Sequence, residues 1–244
     1  MYLLTETASP FALERWAAFF ANFGQFAKGF FYTLGISIGA LIVALLLGLI
    51  FGAMSSTHNK VLRGISRVYV EIFQNTPLLV QFVVVFYGIS ILTDGHVMIP
   101  ISLTAILCVG VYTGAYISEI IRTGIEAVPK GQTEAALSQG FTYADTMRII
   151  ILPQAVRTIL PPLTNQVVNL IKNTSTVAII SGADIMFTAK AWAYDTTNYV
   201  PAFAGAAFLY FIMCFPLATW HVVKKKRIRK LTKEVHYVRS FISY

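Results

Sequence analysis

Charge is scarce in this chain: of 244 residues, 12% are Asp, Glu, Lys or Arg, while 56% are hydrophobic. Soluble domains carry about 25% charged residues, so this chain has too little polar surface to coat a water-soluble globule. Cysteine is rarer still. Cys108 and Cys214 both fall inside apolar runs, which argues against a disulfide framework and makes them small buried hydrophobes. His58, His96, His221 and His236 are scattered without metal-ligand spacing. No nucleophile–base cluster and no G-x-x-x-x-G-K-[S/T] phosphate loop occurs, so ATP hydrolysis would have to come from another chain. The first 25 residues lack a basic start, an apolar run and a small-residue cleavage site, and no cleavable signal is expected.

What the sequence has instead is long apolar runs. Crossing ~30 Å of hydrocarbon takes about 20 residues of helix, and five segments qualify: 29–54, 76–92 with a less apolar lead-in over 61–75, 101–123, 151–171 and 200–223. Residues 177–185 are too short to cross and read as a re-entrant or outward-facing loop. The fold class expected is therefore an all-α membrane protein. An interfacial segment (1–28) precedes the spanning region (29–223), and a basic tail (224–244) follows it.

Lysine and arginine set the orientation. One set of loops holds Lys60, Arg63 and Arg67, then Arg122, Lys130, Arg148 and Arg157, then eight more between Lys224 and Arg239. The opposite set holds only Arg15, Lys28, Lys172 and Lys190. The richer side is expected to be cytoplasmic, with the N-terminus outside and the C-terminus inside a bacterial inner membrane. The net charge of +8 is then a topology signal and a contact with anionic lipid, not a nucleic-acid surface. Aromatics at helical spacing from Phe11 to Phe26 suggest a helix lying in the outer interface. The pairs Gly35/Gly39, Gly48/Gly52 and Gly110/Gly114 suggest close helix packing.

The loop after the third span, residues 128–153, is unusual. Pro129 ends the span, residues 132–139 are good helix formers, and Gly140 supplies a left-handed turn. A second short helix starts near Tyr143, and Leu152-Pro153 opens the next span. The result is two short helices on a glycine elbow. Glu134-Ala135-Ala136, three residues, Gly140, nine residues, Ile150, one residue, Leu152-Pro153 resembles the EAA signature of binding-protein-dependent ABC import permeases, with every spacing kept. The resemblance runs from about residue 30 to 226. Phe73–Gln81, Tyr116–Gly124 and Lys172–Ser175 resemble the polar amino-acid uptake subfamily, which usually has arginine where Gln74 stands and leucine where Thr176 stands. The resemblance implies a type I importer permease whose elbow (Glu134, Ala135, Ala136, Gly140, Tyr143, Leu152, Pro153) is a coupling helix on a separate ATPase. It also implies two ATPase subunits carrying the ATP and Mg, a second permease copy or homologue, and an extracytoplasmic amino-acid-binding protein.

Polar residues inside spans tend to face water or protein. Tyr112, Tyr116, Glu119 and Thr123 form one stripe on the third span. Thr158, Asn165, Asn169, Lys172 and Asn173 form another on the fourth, above a kink expected at Pro161-Pro162. Together with Thr76, the residues Tyr116, Glu119, Asn165, Asn169 and Lys172 are the candidate substrate path, with Lys172 or the asparagines facing Glu119 to hold a zwitterion. Alternatively, Glu119 pairs with Arg122 and Lys172 points outward. No catalytic residue, metal site or cofactor is expected in this chain. The alternatives are an ABC permease for another small solute, or a secondary transporter, which would need no docking elbow.

Overall fold

The computed structural model describes residues 9–219; the expected basic tail and the end of the fifth expected span lie outside the described residues. Among the described residues the chain is carried by nine main helices, α1 (Leu13–Ala21), α2 (Phe23–Ser55), α3 (Lys60–Gln74), α4 (Leu78–Leu92), α5 (Ile101–Glu126), α6 (Lys130–Ser138), α7 (Leu152–Asn173), α8 (Ile185–Thr196) and α9 (Tyr199–Thr219), with a single short turn of helix at Tyr143–Asp145. A π-helical turn (Thr146–Ile151) precedes α7 and a 3₁₀ turn (Thr174–Ile180) follows it. No strand occurs among the described residues.

The central seam is α2 against α5, running in the same direction. A Cβ added at Gly48 would lie 2.4 Å from Ile117 Cγ2, and one at Gly52 2.8 Å from Ile121 Cβ. From the other side, Gly110 leaves room for Val43 and Gly114 for Leu47. The backbones approach this closely because neither helix has a side chain there. Gly35 differs from its partners, since a Cβ there meets nothing within 4 Å. The same core takes in Leu78 and Phe82 of α4, Leu170 of α7 and Val177 and Ile180 of the 3₁₀ turn.

Among the described residues, three helices, α2, α5 and α9, are long and apolar enough to cross a membrane; a fourth crossing results if α3 and α4 form one broken span. The lead-in to the second expected span is a helix of its own, turned 97° from α4. Pro77 forces the break: it lacks an N–H and keeps Thr76 out of the α conformation. The side chain of Gln81 straps the bend, donating to the Phe73 carbonyl (3.2 Å), the Thr76 carbonyl (3.2 Å) and Thr76 Oγ1 (2.8 Å). α7 has 22 residues, but Arg157, Thr158, Asn165, Asn169 and Lys172 along its length are exposed, so it is apolar on one face only.

Residues 177–185, expected as a re-entrant or outward-facing loop, are folded against the core: Val177 and Ile180 are buried in a 3₁₀ turn that ends at Ser181 (φ 61°), and Ile185 is buried at the start of α8. Their short apolar run packs against other elements rather than crossing anything. The N-terminal aromatics divide between core and surface. Phe19 is buried among Phe26 and Trp192, at ring-centroid separations of 4.8 and 6.0 Å. Arg15 Nη1 donates to the Thr197 carbonyl and Asn198 Oδ1, both at 2.9 Å. α1 therefore docks on the α8–α9 corner, while Phe11, Leu13 and Phe20 stay exposed.

Candidate functional site

The elbow is built from local rules. α6 ends in a Schellman motif: Gly140 N–H donates to the Leu137 carbonyl (3.0 Å) and Phe141 N–H to the Ala136 carbonyl (3.1 Å). This geometry needs a left-handed residue just past the helix, and Gly140 sits at φ 87°. Thr142 then caps the next turn, its Oγ1 accepting from Asp145 N–H at 3.2 Å. Ala136, Thr146 and Ile151 are buried where α6 meets the π-helical turn. Glu134, Ala135, Leu137, Tyr143, Ile149, Leu152 and Pro153 are exposed, so the elbow is held from behind and offers an apolar face in front.

Beside the elbow lies a cavity of about 600 Å³ bounded by His58, Glu126, Lys130, Glu134 and Tyr143, among others. The His58 and Tyr143 rings are 5.2 Å apart, joining the α2–α3 connection to the elbow.

The first polar stripe divides in two. Tyr112 and Tyr116 hydroxyls are 3.1 Å apart. Lower on α5, Glu119 pairs with Arg122, and Arg122 Nη1 reaches Glu126 at 2.5 Å. These three face Arg63, Arg67, Glu71 and Gln74 of α3 across a cavity of about 450 Å³. Its lining holds three acids and three arginines, so an arginine at 74 would tip an otherwise neutral mouth to a net positive charge. Gln74 instead donates to the Ala115 carbonyl (3.2 Å). Thr76, placed on the path by sequence, spends its hydroxyl in the bend, donating to the Ile72 carbonyl (2.8 Å).

On α7, Asn165, Asn169 and Lys172 share one exposed face and make no side-chain hydrogen bond among the described residues. Lys172 does not face Glu119. It borders two recesses of about 300 and 410 Å³ against α9, both walled by Tyr210, whereas Glu119 borders the cavity against α3. The reason is register. Gly124 of α5 meets Ile159 of α7 and the helices run oppositely, so Lys172 lies about 12 Å along the axis from the level of Glu119, at ~1.5 Å per residue.

Sequence reasoning missed Asp184. It is fully buried, caps α8 by accepting from Phe187 N–H (2.9 Å) and Met186 N–H (3.2 Å), and accepts from the Tyr210 hydroxyl (3.0 Å). An Asp before an apolar run is a capping signal. Its burial and its tyrosine partner are not written locally.

A bent α3–α4 pair, a glycine-packed α2–α5 seam and a capped elbow before α7 together make the type I ABC importer permease fold. A crystal structure of an amino acid ABC transporter with histidines contains a chain that superposes with a TM-score of 0.80 at 31% identity, covering 87% of this chain and 98% of that one. An inward-facing structure of the MetNI methionine ABC transporter superposes at 0.64 with 17% identity, covering 81% of this chain and 94% of that one, a likeness of fold alone. Residues 44–230 match the family described as binding-protein-dependent transport system inner membrane component, and the chain belongs to that family. Among curated relatives, the probable glutamine ABC transporter permease protein GlnM of Bacillus subtilis is 37% identical over 214 residues (86% of this chain, 96% of that one). The glutamate/aspartate import permease protein GltJ of Escherichia coli K12 is 33% identical over 208 residues (78% and 85%). The L-cystine transport system permease protein TcyB of B. subtilis is 35% identical over 207 residues (84% and 87%).

Proposed function

We propose that this permease carries a polar α-amino acid into the cytoplasm, driven by ATP hydrolysed on a separate ATPase pair that grips the elbow. The observation that carries the coupling half is the closed Schellman turn at Gly140. It makes the elbow a stiff part that passes on a rigid-body push, where a slack loop would absorb it. Relatives named for glutamine, glutamate/aspartate and cystine support the substrate class, as does the unpartnered Asn165–Asn169–Lys172 face, whose ammonium and amides suit a carboxylate. In this reading α7 is the fourth of five spans and α9 the fifth, α3 and α4 together are the second, and a second copy or homologue faces the α7 stripe. A soluble binding protein delivers the solute from outside, and no ATP or metal is held in this chain.

The test is reconstitution of the permease with its ATPase and binding protein in liposomes. ATP-dependent accumulation of L-glutamine, L-glutamate or L-cystine is expected. Uptake of none of the three, with solute-independent ATPase activity intact, would reject the substrate class. Uptake that continues without ATP would reject the coupling.

A further inference from the structure

Asp184 is the only Asp, Glu, Lys or Arg that is fully buried among the described residues. A serine or asparagine would cap α8 as well without burying a charge, which is costly unless its partners are complete. Capping alone therefore does not account for a carboxylate. Its two oxygens serve three donors, the amides of Met186 and Phe187 and the hydroxyl of Tyr210. An asparagine, with one acceptor oxygen and two N–H donors, would present an N–H to at least one of them. The additional bond is the one to Tyr210, on α9.

The surroundings make that bond rigid. Thr33 of α2 accepts from Ile185 N–H at 3.1 Å. One helical turn earlier on α2, a Cβ at Gly29 would lie 2.9 Å from Thr188 Oγ1 and 3.2 Å from the Asp184 carbonyl. The start of α8 is thus fixed against α2, and Asp184 extends that fixture to α9. Tyr210 in turn walls both recesses that Lys172 borders. No ion pair among the described residues includes Lys172, so its ammonium remains open to a solute.

We propose that Asp184 is a positioning residue of the permeation path: it clamps Tyr210 as a fixed wall of the recess in which Lys172 receives the carboxylate of the transported solute. Without the carboxylate the Tyr210 hydroxyl keeps, among the described residues, only the side chains of Thr33 and Thr174 as partners, and the phenol ring is held less firmly as a wall of the recess. The proposal rests on the assignment of Lys172 to the path, and the test separates the two.

Uptake by the reconstituted complex is measured against concentration, using whichever of L-glutamine, L-glutamate and L-cystine the unaltered complex accumulates. Tyr210→Phe keeps the ring and the α8 cap but loses the clamp, and Asp184→Asn weakens it. Each should raise KM roughly five- to tenfold, as expected for loss of one buried bond, with maximal rate within about twofold. In a clamp the two changes act as a unit, so the double variant should be no worse than Tyr210→Phe alone. If Asp184→Asn fails to assemble, Tyr210→Phe carries the test by itself. A lower melting temperature with unchanged KM in Tyr210→Phe, or additive effects in the double variant, would overturn the proposal and leave Asp184 a structural cap. Lys172→Met reports on the underlying reading: unchanged KM there removes Lys172 from the path. A raised KM in Lys172→Met beside an unchanged one in Tyr210→Phe sinks only the clamp.

Discussion

At the scale of single residues, Gly140 has a conformational requirement that only its own type meets cheaply. Its φ of 87° lies where an L-residue pays about 1–2 kcal/mol, and more if β-branched. A Cβ there meets nothing within 4 Å, so the penalty comes from the backbone and not from a clash. Gly140→Val should leave the chain inserted and cut solute uptake about tenfold or more, because the strained turn opens and the elbow slackens. Membrane-fraction yield and uptake, read together, check this; full uptake at normal yield would sink the coupling role of the elbow. Gly140 was legible in the sequence because its constraint is local, a short helix needing a left-handed stop. Asp184 was not, since Tyr210 lies 26 residues further along the chain. Glu119 and Lys172 do not meet within the chain for a related reason: the spacing along each helix can be read from sequence, but the sliding register of two helices is not encoded in either.

Among the elements, the α3–α4 bend depends most on one side chain. Gln81 Nε2 supplies all three of the bonds that strap the break, while Gln81 Oε1 is buried without a partner. Gln81→Leu removes the strap and also that unsatisfied acceptor, so the two effects partly offset. A net loss of about 1 kcal/mol follows, and in detergent the melting temperature should fall by about 2–4 °C for a chain of this size. An unchanged melting temperature would mean that the bend is held by Pro77 alone. The drop in apolar character before Pro77 was visible in the sequence as a lead-in, but the break and its angle of 97° were not. α8 went unseen for a physical reason: its apolar residues are buried by Phe19, Phe26 and α9, partners brought in by the fold and not by the helix's own pattern.

For the whole molecule, the orientation expected from lysine and arginine would put the elbow and the α8–α9 corner on opposite sides of the membrane. Asp195 and Lys130 are both exposed, whereas Cys108 and Cys214 are buried. A cysteine at Asp195 should therefore react with a membrane-impermeant maleimide added to intact cells. A cysteine at Lys130 should react only after the cells are opened. The reverse labelling would invert the molecule and remove the elbow from the ATPase side. The class of fold was readable at this scale because bilayer thickness and backbone hydrogen bonding leave a spanning chain few choices.

The α2–α5 seam also bears on how such a chain can vary through descent. Gly48, Gly52, Gly110 and Gly114 stand where even a methyl group would collide with the neighbouring helix, so lineages cannot drift there without losing the pair. Asn165, Asn169 and Ala207 meet no such wall, since their side chains are exposed. Substitutions should therefore be tolerated most readily along the α7–α9 face, while the seam has little room for change.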